Sequence, residues 1–275
     1  MQAEVDRSTR YDGELQRAIA DGEIQPFYQP LVSINGANLV GFEVLVRWIH
    51  PERGTIMPYD FIPAADARGL LPQLTYSILR QACRDALTWP EHIRLSINLA
   101  PSQLRDPLLA RRLAAILKEY AMPAHRIEIE ITENALIGDI ETTRKVLTAL
   151  QKLGMTIALD DFGTGYASLY HLRELNLDKM KVDKSFVQAI ERGDENAKIV
   201  RAMIALGKSL GLMVTAEGIE DQDQWSRLAA WGCDYGQGYL FGCPMDKANV
   251  DILLGKLIAA QPMHETARLR GASAA

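Results

Sequence analysis

Acidic and amide side chains recur along this chain where apolar runs end. Glu43 follows LVGF, Asn98 closes LSIN, Glu130 and Glu133 stand in RIEIEITE, and Asp160 with Asp161 follow MTIAL. Further on, Lys181 and Asp183 stand in KMKVD, Glu217 follows MVTA, and Gln237 sits in DYGQG. No histidine or cysteine belongs to this set. Carboxylates and one amide, all oxygen donors, suit a hard cation (Mg²⁺, Mn²⁺ or Ca²⁺) rather than zinc. Gathered in one place, so many carboxylates would repel one another and each would bear a desolvation cost, so positive charge must sit among them. The adjacent pair Asp160-Asp161 narrows the geometry. Neighbours on a regular strand point to opposite faces, and both reach one cleft only where the strand gives way to loop. Gly163 and Gly165 then supply a permissive backbone for a tight loop beside the cleft.

Taken singly, each signal is weak. A lone Glu at a strand end is ordinarily solvated or ion-paired, Lys181 alone reads as a barrel lysine facing a carboxylate, and Gly163-Thr164-Gly165 lacks the dinucleotide fingerprint. Repetition at nearly every strand end is what points to a site.

The elements that must position these residues alternate. Strand candidates are IQPFYQPLVSI, ANLVGFEVLVRW, IRLSINLA, RIEIEITE, MTIALDDFG, DKMKVDKSF, LMVTAEGIE and CDYGQGYLF. Between most of them lie runs such as LLARRLAAILKEYA, IETTRKVLTALQKLG and AKIVRAMIALGKSLG, whose apolar residues recur at helical spacing. Gly154 and Gly211 follow two of these runs, as expected at helix ends. Alternation predicts parallel pairing with helical crossovers, whereas the short link SINGAN predicts an antiparallel hairpin for the first two strands. Eight strands in one alternation favour a closed (β/α)8 TIM-like barrel with an antiparallel first strand over an open doubly wound sheet. In such a barrel the C-terminal strand ends converge on one face, so residues spread over the whole chain meet in one cleft. The expected boundaries are a linker remnant over 1–13, the barrel over 14–260 and a disordered tail over 261–275, with a short amphipathic helix in YDGELQRAIADGEI.

Composition narrows the function classes. A hydrophobic fraction of 48% with 24% charged residues is ordinary for a soluble globular chain. The net charge of −5 gives no field for duplex DNA or an anionic membrane, so a polyanionic substrate would have to be met by metal ions or a few placed basic residues. Three scattered cysteines read as reduced thiols of a cytosolic protein. With no basic-then-apolar leader and no run long enough to cross a bilayer, a cytoplasmic location is expected.

The residues at the strand ends also carry a resemblance. The chain resembles the EAL-domain phosphodiesterases over roughly residues 14–257. The motifs are FYQPLV at 27–32, FEVLVRWIHP at 42–51, FIPAAD at 61–66, INLAPSQL at 97–104, EIEITENAL at 128–136, DDFGTGYASL at 160–169, KVDKSFV at 181–187, TAEGIE at 215–220 and GQGYLF at 236–241. The resemblance implies metal-dependent hydrolysis of cyclic di-GMP to linear pGpG with two Mg²⁺ or Mn²⁺ ions. Ca²⁺, with longer bonds and a larger coordination number, is expected to occupy the all-oxygen site but inhibit. Glu43, Asn98, Glu130 and Asp160 would hold one ion, and Asp160 with Asp161 the other. Glu217 would act at or near the second ion, Lys181 would meet the attacking water or the developing charge, and Gln237 would orient that water. The resemblance leaves open whether Glu217 or Lys181 is the general base. Arg47 would meet a substrate phosphate, Gln29 and Asp183 the nucleotide, and Glu133 would support the DDFGTG loop from behind the metal ligands.

The chain departs from the family pattern at Val44, where the signature has Ala, at Ala100, where Ser is usual, and at Asp66, where Glu is common. None of these removes an implied ligand. The alternative readings are a silent cyclic di-GMP receptor and an unrelated Mg²⁺-dependent barrel enzyme. The complete ligand set speaks against the first, and the remaining motifs speak against the second. The family resemblance also implies a homodimer and a regulatory domain upstream of the linker.

Overall fold

The computed structural model describes residues 13–137, 139–165 and 174–260. Nine strands are seen among them: β1 Ile24–Ser33, β2 Leu39–His50, β3 Gly54–Ile56, β4 Arg94–Leu99, β5 Ile127–Thr132, β6 Thr156–Phe162, β7 Lys179–Val182, β8 Met213–Ala216 and β9 Tyr235–Gln237. Pairing runs β1-β9-β8-β7-β6-β5-β4-β2, and β1 also pairs with β2, which closes an eight-stranded ring. β1 is antiparallel to both neighbours and the other seven run parallel, as the short SINGAN link requires. The strand β3 was not anticipated. It adds to the far end of β2 at Trp48–His50, outside the ring, and its three residues are too few to show alternation.

Helices surround the barrel: α1 Glu14–Ala20, α2 Pro58–Ala67, α3 Leu71–Asp85, α4 Leu109–Glu119, α5 Ile140–Lys152, α6 Lys184–Gln188, α7 Asp194–Ser209, α8 Gln222–Ala230 and α9 Lys247–Ala260. The apolar stripe of α4 buries Leu109, Leu113, Ile116 and Leu117. Each such burial contributes about 1.5–3 kcal/mol relative to exposure. Gly154 and Gly211 have positive φ, 101° and 77°, just past α5 and α7. The short helix α1 buries Leu15, Ala18 and Ile19, and Glu14 joins it to Arg53 of the β2–β3 connection at 2.9 Å.

The strands explain the unusual barrel lumen. In β5, Ile127, Ile129 and Ile131 alternate with Glu128 and Glu130, and all five are buried. Since alternate residues face opposite sides, the isoleucines meet the helix layer while the glutamates enter the lumen. The sequence KMKV does the same in β7, so charges meet in two layers one pleat apart. Lower in the barrel Glu128 pairs with Lys179 and accepts from Ser96 at 3.1 Å. Above it Glu130 pairs with Lys181 at 2.8 Å. Pairing is required here, because an isolated ion at such depth would be strongly disfavoured.

Candidate metal centre and substrate cleft

The upper layer opens into the acidic cluster. Glu43 comes from β2, Asn98 from β4, Glu130 from β5, Asp160 and Asp161 from β6, Lys181 from β7, Gln237 from β9, and Glu217 directly follows β8. Seven strands therefore bring together residues that the sequence scatters, all at the C-terminal face. Two groups of three carboxylates result, Glu43–Glu130–Asp160 and Asp160–Asp161–Glu217, each offering one ligand atom per residue within 4.8 Å of the others. Asp160 belongs to both.

The aspartate pair reaches one cleft by a route the sequence only partly disclosed. Strand β6 continues to Phe162, but its ladder with β7 slips between Leu159 and Phe162, and Asp161 takes a φ of +55°. This left-handed kink within the strand, rather than the strand's end, turns the second carboxylate inward. The Asp161 N–H donates to Asp160 Oδ1 at 2.9 Å. Behind the kink, Glu133 accepts from the Gly163 N–H at 2.7 Å. A Cβ on Gly163 would collide with Met203 and Phe186, and its φ of +100° disfavours any side chain. Residues 166–173, which include the last four residues of the DDFGTGYASL motif, lie outside the described residues.

Lys181 stands at the centre. Its Nζ is 2.6 Å from Glu217, 2.8 Å from Glu130, 3.2 Å from Asp160 and 3.7 Å from Glu43. Burial alone would lower its pKa, but Asp160, Glu130, Glu217 and Glu43 outweigh that and hold it well above the ordinary lysine value. Five carboxylates against one ammonium leave a net charge of −4 when all are ionised. The carboxyl groups show the strain of that excess. Burial and neighbouring carboxylates raise Glu130 well above its ordinary value, push Glu217 up to about 8 and push Asp161 up to about 6. Two divalent cations would bring the cluster to neutrality, and its oxygen donors are those that hard cations prefer. Asn98 donates from Nδ2 to Glu43 at 2.9 Å, a bond that leaves its carbonyl oxygen able to act as a ligand.

Beside the cluster lies a cleft of about 420 Å³, whose lining includes Gln29, Arg47, Glu217 and Gln237. Gln237 donates to Glu43 at 2.6 Å and to Gln29 at 3.1 Å, so its amide positions a carboxylate. Arg47 lies with its guanidinium 5.8 Å from the Phe27 ring centroid and donates to the Val46 carbonyl. Asp183, expected at the nucleotide, caps α6 through the Ser185 N–H at 3.0 Å and the Ser185 hydroxyl, and its charge is one of those that raise the Asp161 carboxyl. Lys184, Gln188, Glu220 and Tyr239 line the cleft, although sequence reasoning did not single them out. Lys184, Glu220 and Tyr239 stand inside the motifs KVDKSFV, TAEGIE and GQGYLF, and neighbourhood to the recognised residues was the available signal.

The EAL domain family model matches residues 12–244. The chain belongs to the EAL domain family. Cyclic di-GMP phosphodiesterase NbdA of Pseudomonas aeruginosa is 38% identical over 88% of this chain and 31% of its own length. Cyclic di-GMP phosphodiesterase RocR of the same organism is 34% identical over 86% of this chain and 61% of its own length. Among solved structures, the PaMucR phosphodiesterase in complex with c-di-GMP superposes with a TM-score of 0.82 at 32% identity, covering 86% of this chain and 98% of that one. The chain spans about a third of the length of NbdA and under two thirds of RocR, so both relatives carry sequence beyond the EAL portion.

Proposed function

We propose that this EAL domain hydrolyses cyclic di-GMP to pGpG with two Mg²⁺ or Mn²⁺ ions held in the carboxylate cluster. The observation that carries the reading is the pair of carboxylate groups sharing Asp160 beside a cleft lined by Arg47 and Gln29. Glu43, Asn98, Glu130 and Asp160 would hold one ion, and Asp160 with Asp161 the other, with Glu217 adjacent. When bound, the ion pair would supply an activated water and stabilise the attacking and leaving oxygens of an in-line displacement. Water adds to phosphorus as one P–O3′ bond breaks, leaving a 5′-phosphate on the linear product. Lys181, an ammonium enclosed by carboxylates, is suited to keep its proton and donate toward developing charge, which makes Glu217 the better proton acceptor. Gln237 fixes Glu43 and Gln29, Glu133 fixes the backbone after Asp161, and Arg47 receives a substrate phosphate. Gln29, in the cleft, and Asp183, at the start of α6 next to the cleft residue Lys184, would contact the nucleotide.

The decisive experiment incubates the purified chain with cyclic di-GMP and Mg²⁺ and looks for pGpG by chromatography. Tight binding with no product in any divalent cation would hand the case to a silent receptor. Among the described residues no helix is long and apolar enough to cross a membrane; a cytoplasmic setting, with neither DNA nor membrane as partner, is part of the proposal. We further propose a homodimer and a regulatory domain in the full-length protein. Sedimentation that shows a fully active monomer at micromolar concentration would defeat the dimer.

A further inference from the structure

Between β2, β4, α2 and α3 the fold leaves a half-open cavity of about 360 Å³. Its wall is aliphatic, with Val44, Ile62, Leu74, Ile78 and Ile97 facing it, and among the described residues no charged or aromatic side chain lines it. The polar side chains at the cavity are largely engaged. Gln103 donates to Thr75 at 2.9 Å and accepts from the Ala100 N–H at 3.1 Å, while Asn98 donates to Glu43 at 2.9 Å. A peptide segment would bring amide groups that such a wall cannot satisfy, and an ion would be left unpaired. The volume lies at the small end of the range for small-molecule sites. Val44 and Ala100, two of the positions where the chain departs from the family pattern, both line it and make it more apolar.

The cavity shares a wall with the site. Leu45 lines both the cavity and the substrate cleft, and Asn98 lines the cavity while hydrogen-bonded to Glu43. We infer that this cavity binds a small, uncharged, mainly aliphatic molecule, and that its occupancy shifts the divalent-cation affinity of the neighbouring centre through Leu45 and Asn98. The binding stands on the cavity alone, whereas the coupling rests on the proposed metal-centre reading.

The test titrates 1-octanol into the metal-free chain carrying labelled Ile, Leu and Val methyl groups. Saturable NMR shifts are expected at Ile62, Leu74, Ile78 and Ile97, with Ile204 and Val250 on distant helices unmoved. Ala100→Leu and, separately, Leu74→Phe fill the space and should abolish the shifts, and each variant's own methyl spectrum reports whether it folds. Calorimetry with Mg²⁺ should then show an affinity change of about fivefold or more between octanol-free and octanol-saturated protein. Shifts that do not saturate, spread over the surface, or persist in both folded variants overturn the site. Saturable binding with unchanged Mg²⁺ affinity overturns the coupling. Saturable octanol binding by a protein that takes up no Mg²⁺ at all overturns the metal-centre reading and the coupling, while the ligand site stands.

Discussion

Replacing Lys181 with methionine should destabilise the metal-free protein far more than the Mg²⁺-loaded one. The ammonium lies within 3.7 Å of four carboxylates on a side chain 2% exposed. Methionine keeps the unbranched stem and its packing but deletes the charge, so the cluster loses its central cation. Removing one partner of a buried charged set costs about 3–5 kcal/mol, because the remaining charge stays buried. In a domain of this size each kcal/mol moves Tm by about 2–4 °C, so melting in EDTA should fall by roughly 6–20 °C. Protonation of neighbouring carboxyls relieves part of the excess, which places the smaller loss at acidic pH and the larger near neutrality. Saturating Mg²⁺ returns positive charge to the same oxygens and should remove most of the deficit. Turnover, however, should stay depressed by on the order of 10²–10³-fold, the usual effect of losing one donor to developing charge. Thermal melts in EDTA and in Mg²⁺, beside a pGpG assay, read out both parts. An equal deficit with and without Mg²⁺ would show that the lysine stabilises by packing, and normal turnover would remove it from the chemistry.

Glu43→Ala and Asp160→Asn should each abolish hydrolysis while the barrel stays folded, since both side chains serve the cluster rather than the helix layer. Near-normal turnover of either at saturating Mg²⁺, with an intact circular dichroism spectrum, would exclude that residue as a metal ligand. Ca²⁺ should bind but fail to support turnover, because it favours six to eight oxygens at about 2.3–2.6 Å over the tighter octahedron of Mg²⁺, and small misplacements are costly in rate. Calorimetry and turnover measured in each ion decide this, and equal rates in Ca²⁺ and Mg²⁺ would refute it. Asp161 and Glu217, raised from 3.8 and 4.5 to about 6 and about 8, keep protons that the unfolded chain has lost. The stability they contribute is complete below their ordinary values and disappears as pH rises through the raised ones. The gap between melting temperatures in Mg²⁺ and EDTA should therefore widen from about pH 4 to pH 8. A gap that narrows over that window, or a Glu217→Gln variant with the same pH profile, would count against this account.

Much of the protein was determined by local sequence patterns. The alternation in RIEIEITE, the helical spacing in LLARRLAAILKEYA and the brevity of SINGAN report on neighbouring residues only, which is why strands, helices and the antiparallel first strand were legible. The polar residues at strand ends marked most of the cluster for the same reason. What lay beyond local pattern was decided by closure of the barrel. Glu130 and Lys181 are 51 residues apart and meet because β5 and β7 sit near each other around a closed ring. That closure also pairs Glu128 with Lys179, an ion pair local pattern did not mark because both residues lie one pleat below the cluster, in the barrel interior. The inward turn of Asp161 depends on a ladder slip set by how β6 and β7 pack. Asp183 became a helix cap because α6 starts directly after β7. The aliphatic cavity beside Asn98 is a gap between layers, and gaps arise from packing that no single segment encodes. Periodicity tells each residue which face it occupies; its depth and its neighbours around the ring follow only once all the strands have closed.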